Sequence, residues 1–208
     1  MNAMQFIAVY AQSMRLLAVL CLIFGLQTGF AQPASVLHAL PKAQLMGSTR
    51  LTVFGFQIYD AKLWAEPGFP SEHYAQHPLA LELTYLRDFS GATIAKRSVK
   101  EMRGVASVSD EKSQAWFTQL LAVLPDVKKG DRVLGLYHPQ HGITLFHNSK
   151  AVGEIKDPEL AQVFTGIWLS PRTSQPSMRR ELIARAPQGL PEPSREPSTG
   201  STKGDAKP

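Results

Sequence analysis

The sequence predicts one α+β domain, with strands before and after a pair of helices. Three observations carry that reading. The stretch from Leu45 to Trp64 (LMGSTRLTVFGFQIYDAKLW) is almost uninterruptedly apolar and rich in β-branched and aromatic residues, the composition of extended strand. Two later segments, GATIAKRSVKEMRG and the run from Asp110 to Leu124, carry apolar residues at helical spacing behind serine caps. From Arg132 to Ile155 the pattern becomes short β segments separated by turn residues.

The domain does not fill the chain. With 208 residues and 44% hydrophobic content, there is room for one domain of ordinary size plus tails. Arg15 followed by the 11-residue apolar run LLAVLCLIFGL, then Gly29-Phe30-Ala31, predicts a signal peptide over residues 1–31, cleaved after Ala31. An uncleaved anchor is the alternative, although the run is shorter than the ~20 residues of a membrane span. The predicted location is periplasmic or secreted, with membrane contact only through the signal segment before cleavage. The one cysteine, Cys21, falls inside that segment, so the mature chain has no disulfide, thiol nucleophile or thiolate metal site. Residues 186–208 hold five prolines and almost no large apolar side chains, and are expected to be a disordered tail. This leaves residues 35–185 as the domain. Removing Arg15 leaves 21 basic residues against 17 acidic ones, a net charge of +4. The charges are interleaved, which argues against a nucleic-acid partner.

Taken in order, residues 32–43 read as a short lead-in. Leu45 to Trp64 has apolar residues at both odd positions (Leu51, Val53, Tyr59, Leu63) and even ones (Phe54, Phe56, Ile58). A strand apolar on both faces is expected at the centre of a sheet, covered on both sides. Gly47 and Gly55 mark places for a bend or bulge. Residues 67–78, with three prolines, read as a loop. Leu79 to Tyr85 alternates and predicts a half-exposed strand with Ala80, Glu82 and Thr84 outward. Asp88 or Ser90 caps the first helix, and Ser109 the second. The second carries the stripe Trp116, Phe117, Leu120, Leu121 and Leu124, and Pro125 ends it.

A β-hairpin follows, Arg132 to His138 against Ile143 to Asn148 across Pro139-Gln140-His141-Gly142. The expected register pairs His147 with Leu134. It places Leu134, Leu136, Ile143 and Leu145 on one face, and Val133, Tyr137, Thr144 and Phe146 on the other. A third strand runs from Ala151 to Ile155. A helix opens at Asp157-Pro158 and buries Leu160, Val163, Phe164, Ile167 and Trp168. Residues 170–174 break it before a last short helix with Met178, Leu182 and Ile183.

The chemistry emerges by elimination. There is no GxGxxG, GxxxxGK[ST], GxSxG or HExxH, so no cofactor is expected. In the expected register His147 lies ~13 Å along the ladder from His138, too far to share an ion, and no metal site is expected. Asp126, Asp131 and Asp157 sit at turns and helix starts, where carboxylates have structural work. What remains is Arg50 with Thr52, Tyr59 and Tyr85. A guanidinium beside an apolar cleft cannot lose its proton and requires an anionic partner. That partner is either a ligand or an internal carboxylate such as Glu82 or Glu101.

Several segments together resemble the chalcone isomerase-like family, in its exported bacterial branch. They are G-S-T-R-x-T-V-F-G-F-x-I-Y-D-A-K-L-W (Gly47 to Trp64), L-x-Y-L-R-D-x-S-G-x-x-I-A-x-R-S-x-x-E-M-R (Leu83 to Arg103) and K-G-D-R (Lys129 to Arg132). F-H-N-S-K-x-x-G-E-I and F-T-G-I-W-L-S-P-R-T-S (Phe164 to Ser174) continue the match, which spans about residues 40–185. The resemblance implies an open-faced β-sandwich, an antiparallel sheet with helices packed over one face and a cleft between. It also implies a split in function, since plant members close a chalcone to a flavanone and others bind fatty acids. Arg50 matches the arginine that holds the phenolate in the plant enzymes. Their helix-borne tyrosine and asparagine fall on Ile94 and Glu101, and a threonine near the last helix corresponds to Thr173. Ile94 has no hydroxyl and Glu101 would repel a phenolate.

The favoured expectation is therefore a non-catalytic binder of a small hydrophobic ligand, such as a fatty acid. Its site would comprise Arg50, Thr52, Tyr59, Tyr85, Glu101 and Thr173, with Phe54, Phe56, Trp116, Phe146 and Phe164 as its apolar wall. Two alternatives stay open: an intramolecular lyase acting on a chalcone-like enone with Arg50 catalytic, and a structural or partner-binding domain whose cleft its own side chains fill.

Overall fold

A computed structural model describes residues 32–186. The predicted signal peptide and nearly all of the predicted proline-rich tail lie outside the described residues. Helix α1 (Ala34–Ala39) leads into β1 (Gln44–Val53) and β2 (Phe56–Ala65); a 3-10 segment (Ser71–Gln76) precedes β3 (Leu79–Tyr85). Helices α2 (Gly91–Val105) and α3 (Asp110–Val123) follow, then β4 (Arg132–His138), β5 (Gly142–His147) and β6 (Lys150–Ile155). Helices α4 (Pro158–Leu169) and α5 (Pro176–Leu182) close the domain. The six strands form one antiparallel sheet in chain order, β1 to β6. The α+β class and the sheet with helices over one face are as the sequence predicts.

The helix starts follow the cap residues. Ser90 Oγ accepts from the Thr93 N–H and Ser109 Oγ from the Lys112 N–H. Asp157 Oδ1 accepts from the Glu159 and Leu160 N–H groups, with Pro158 in the first turn. Asp88 is not a cap; its carboxylate accepts from the Lys129 N–H in the turn before β4. The segments read as a lead-in and a loop contain α1 and the 3-10 segment.

Three strand expectations are corrected. Leu45 to Trp64 is not one central strand but the hairpin β1–β2, and β1 is a sheet edge. Val53 pairs with Phe56 across a two-residue turn whose Phe54 and Gly55 both have positive φ, +48° and +79°. That backbone suits a tight hairpin, but a phenylalanine gives no turn signal in the first position. The ladder passes from Leu51–Tyr59 to Thr52–Gln57, leaving Ile58 as a bulge. The reversal and the bulge explain the apolar residues at both parities.

Nor is β3 half-exposed. It is buried on both faces, and Glu82 is only 5% exposed. The face read as solvent-facing is covered by α1 and a small second core of Val36, Trp64, Ala80 and Leu134, joined by Leu136 and Phe146. The β4–β5 register also differs by one residue: His147 faces Val133, and Gly142, counted as loop, pairs with His138. Gly142 has φ +85°, and a Cβ there would lie 1.9 Å from the Ile155 carbonyl oxygen, so only glycine fits. A one-residue slip exchanges faces. Val133, Gly135, Tyr137, Ile143 and Leu145 therefore look toward the helices, while Leu134, Leu136 and Phe146 look away.

Candidate functional site

The main core fills the space between the sheet and α2–α5, but not completely. A cavity of about 340 Å³ remains there. Its floor is the period-two face of the sheet: Leu79, Leu81, Leu83 and Tyr85 of β3, with Val133, Gly135 and Tyr137 of β4 and Ile143 and Leu145 of β5. Gly135 helps keep it open, because a Cβ there would already approach Ile143 Cγ2 to 3.2 Å. The hairpin adds Leu51, Val53, Ile58 and Tyr59, the bulge letting two consecutive residues of β2 reach the wall. Ile94, Arg97, Ser98 and Glu101 form one face of α2 at helical spacing and make part of the roof. Phe164, Ile167 and Trp168 of α4 make the rest.

Polar groups concentrate where the wall meets solvent, at Thr93, Arg97 and Ser174. Arg97 Nη2 lies 2.6 Å from Glu101 Oε1, and Ser174 Oγ donates to Glu101 Oε2 at 2.6 Å. Trp168 Nε1 donates to the Tyr59 hydroxyl oxygen at 3.0 Å. Tyr59 and Tyr85 meet edge to face, ring centroids 5.9 Å apart. Burial pushes the Tyr59 hydroxyl up to about 12 and moves Tyr85 upward as well, so both stay protonated at neutral pH. At the far end of β4, Tyr137 donates to the Ala75 carbonyl at 2.7 Å. The cavity is thus amphipathic, with two tyrosines and a charged pair at one end and apolar side chains along its length.

Of the residues expected at the site, Tyr59, Tyr85 and Glu101 come together on this wall. Arg50 and Thr52 do not. Arg50 is exposed and reaches across to its ladder partner Asp60, with bonds of 2.5 and 2.8 Å to the two carboxylate oxygens. Its neighbours Leu51 and Val53 face the cavity instead. The anionic partner predicted for Arg50 exists, but it is Asp60. Thr52 is exposed on the same strand. Thr173 is buried and donates to the Ile167 carbonyl at 2.6 Å, fixing the α4–α5 connection.

The expected apolar wall is likewise corrected, with only Phe164 retained. Phe54 is 97% exposed at the hairpin tip, and the exposed Phe56 ring lies 4.6 Å from the Arg87 guanidinium. Trp116 is buried and donates to Asp157, and Phe146 belongs to the opposite face of the sheet. Arg97, the cation actually at the mouth, was missed. Its position between Ile94 and Glu101 on one helical face was the available signal. Among the described residues no group of three or more His, Cys, Asp or Glu side chains is arranged to hold a metal ion. His138 and His141 stack at 4.4 Å, and His147 Nε2 lies 3.0 Å from Asp131.

A sequence profile described as chalcone isomerase-like matches residues 29–184, most of the chain. The chain belongs to the chalcone isomerase-like family. An uncharacterized protein of Haemophilus influenzae is 25% identical to it over 142 residues, 68% of each sequence. Among solved structures, a fatty-acid binding protein of Arabidopsis thaliana superposes with a TM-score of 0.57 at 10% identity. The superposition covers 76% of this chain and 93% of that one, and establishes a shared fold. In this chalcone isomerase-like domain Ile94 and Glu101 of α2 both lie on the cavity wall.

Proposed function

We propose that this protein is a non-catalytic binder of a small hydrophobic molecule with one polar end, held in the cavity between the sheet and α2–α5, and that it acts after export as a periplasmic or secreted protein. The cavity carries the reading: about 340 Å³ with a nearly continuous apolar lining, aliphatic and aromatic, and polar groups gathered at the mouth. Its floor along β3, from Leu79 to Tyr85, spans ~20 Å at the usual strand rise, which suits an extended chain. The shared fold with a fatty-acid binding protein is consistent with such cargo. Catalysis of the chalcone type is disfavoured by the wall itself. Ile94 offers no hydroxyl where the resemblance places a donor, and Glu101 presents a carboxylate already bonded to Arg97 and Ser174.

Native mass spectrometry of protein purified from cells, and again after delipidation and exposure to fatty acids and their methyl esters, tests the reading. An adduct that returns on exposure, and is lost in Gly135→Leu, is the expected result. A bare mass under both conditions would overturn it. Loss of chalcone absorbance faster than in buffer, and dependent on the cavity residues, would overturn the non-catalytic part.

A further inference from the structure

The polar end of the cavity contains donors whose hydrogen bonds the protein does not complete. Tyr85 is 4% exposed and lines the cavity, yet among the described residues no protein group hydrogen-bonds its hydroxyl. Tyr59 is half-satisfied: its oxygen accepts from Trp168 Nε1, and a phenol that accepts one bond still has a proton to give. Among the described residues the packed core leaves only Trp64 Nε1 unpaired, whereas these two neighbouring phenols turn their uncommitted protons to the cavity and mark a place for a ligand acceptor.

The charged groups at the same end narrow what that acceptor can be. Arg97 and Glu101 are ion-paired, and Ser174 occupies the second oxygen of Glu101. The pair sums to no net charge. A ligand carboxylate therefore finds no net positive charge among the lining residues, Arg97 being neutralised by Glu101, and the cost of taking it out of water is not offset. An uncharged carbonyl meets no such opposition and can accept from both phenols at once.

Building on the cavity reading above, we propose that the site selects apolar chains ending in an uncharged acceptor, the carbonyl of an ester, amide or ketone, received by the hydroxyls of Tyr59 and Tyr85. Glu101 serves to neutralise Arg97, so a free carboxylate finds no net cation there, and specificity is set by what the site withholds as well as by what it offers. Both tyrosines remain donors across the neutral range because burial raises their pKa values.

The experiment is displacement of the neutral dye Nile red from the full chain by four compounds with the same tail: methyl dodecanoate, dodecanamide, dodecanoate and dodecane. The ester and amide are expected to displace the dye at concentrations about tenfold below dodecanoate. Tyr59→Phe and Tyr85→Phe should each weaken the ester about two- to tenfold and leave dodecane unchanged, because only a hydroxyl is removed. Glu101→Gln should strengthen dodecanoate selectively, which a merely structural role for Glu101 would not do. Dodecanoate binding as tightly as the ester in the wild type overturns the proposal while leaving the binding function intact. Displacement by none of the four, dodecane included, overturns both.

Discussion

Asp157 offers the sharpest test of how the cavity roof is held. Its Oδ1 caps α4 through the Glu159 and Leu160 N–H groups at 2.9 and 3.1 Å, and its Oδ2 accepts from Trp116 Nε1 at 3.2 Å. One carboxylate thus fixes the start of the helix that carries Phe164, Ile167 and Trp168 and ties it to α3. Asp157→Ala removes the cap, at about 1 kcal/mol, and a favourable charge on the helix dipole, at about 0.5 kcal/mol. It also strands a donor on Trp116, which is almost fully buried, at about 1–3 kcal/mol. The total is about 3 kcal/mol, a large share of the roughly 5–15 kcal/mol that holds a domain together. With a urea slope of about 2 kcal/mol/M, the unfolding midpoint followed by far-ultraviolet circular dichroism should fall by about 1.5 M. The double variant with Trp116→Phe should lose about 1–2 kcal/mol less than the two single losses combined, because no donor is left stranded. A cost for Asp157→Ala within the roughly 0.5 kcal/mol of an ordinary surface substitution, or simple additivity in the double variant, would refute the reasoning.

Four further outcomes follow from local geometry. Phe54→Asn should stabilise the domain by about 1 kcal/mol in the same assay, since Phe54 buries almost nothing and asparagine tolerates its positive φ far better; a loss of stability would show that the ring has a packing partner. Gly142→Ala should cost about 3 kcal/mol or more, from the left-handed backbone and the collision with the Ile155 carbonyl; a midpoint unchanged from wild type would contradict that. The Asp131 carboxyl is held down to about 2, first by the Asn148 side chain and then by the Lys128 N–H and His147. The stability it contributes is therefore complete above pH 3.8 and lost as pH falls through about 2, and Asp131→Asn should flatten that acid limb of the stability profile. In the alkaline range the sign reverses: burial raises all four described tyrosines, Tyr59 and Tyr137 to about 12, so the contribution of these two is complete below pH 10 and is lost as pH rises past about 12. The near-ultraviolet phenolate signal should appear together with unfolding rather than near pH 10.

The helices were legible because their signals are local. Ser90, Ser109 and Asp157-Pro158 each announce a start within one turn of the residues they cap. The sheet was legible in its parts and misread in its pairings. Phe54-Gly55 lacks the Asn-Gly chemistry that marks a two-residue turn, so two strands looked like one. Without that turn Asp60 could not be recognised as the partner of Arg50. Even with the turn known, the ladder counted back from Val53–Phe56 would set Arg50 opposite Tyr59; the bulge at Ile58 is what brings Asp60 to it. A bulge is a tertiary decision that leaves no residue-level mark. The single-residue slip at Gly142 had a wider effect, since it took Thr144 and Phe146 off the face that Val133 and Tyr137 keep, and set Ile143 and Leu145 there as cavity floor.

The same pairings account for why this chain keeps a cavity rather than a filled core. A floor of leucines and valines would ordinarily be met by the roof, at the packing density of a protein interior. Here Gly135 withholds a side chain from the middle of the floor, the bulge sets both Ile58 and Tyr59 on the wall, and Arg97 and Glu101 occupy cavity-facing positions of α2. Filling that space with larger apolar residues would stabilise the fold, yet it would also leave the Tyr85 hydroxyl buried without a partner. Tyrosine at position 85 thus suits an open cavity and not a filled one, in which its hydroxyl would lose access to any acceptor.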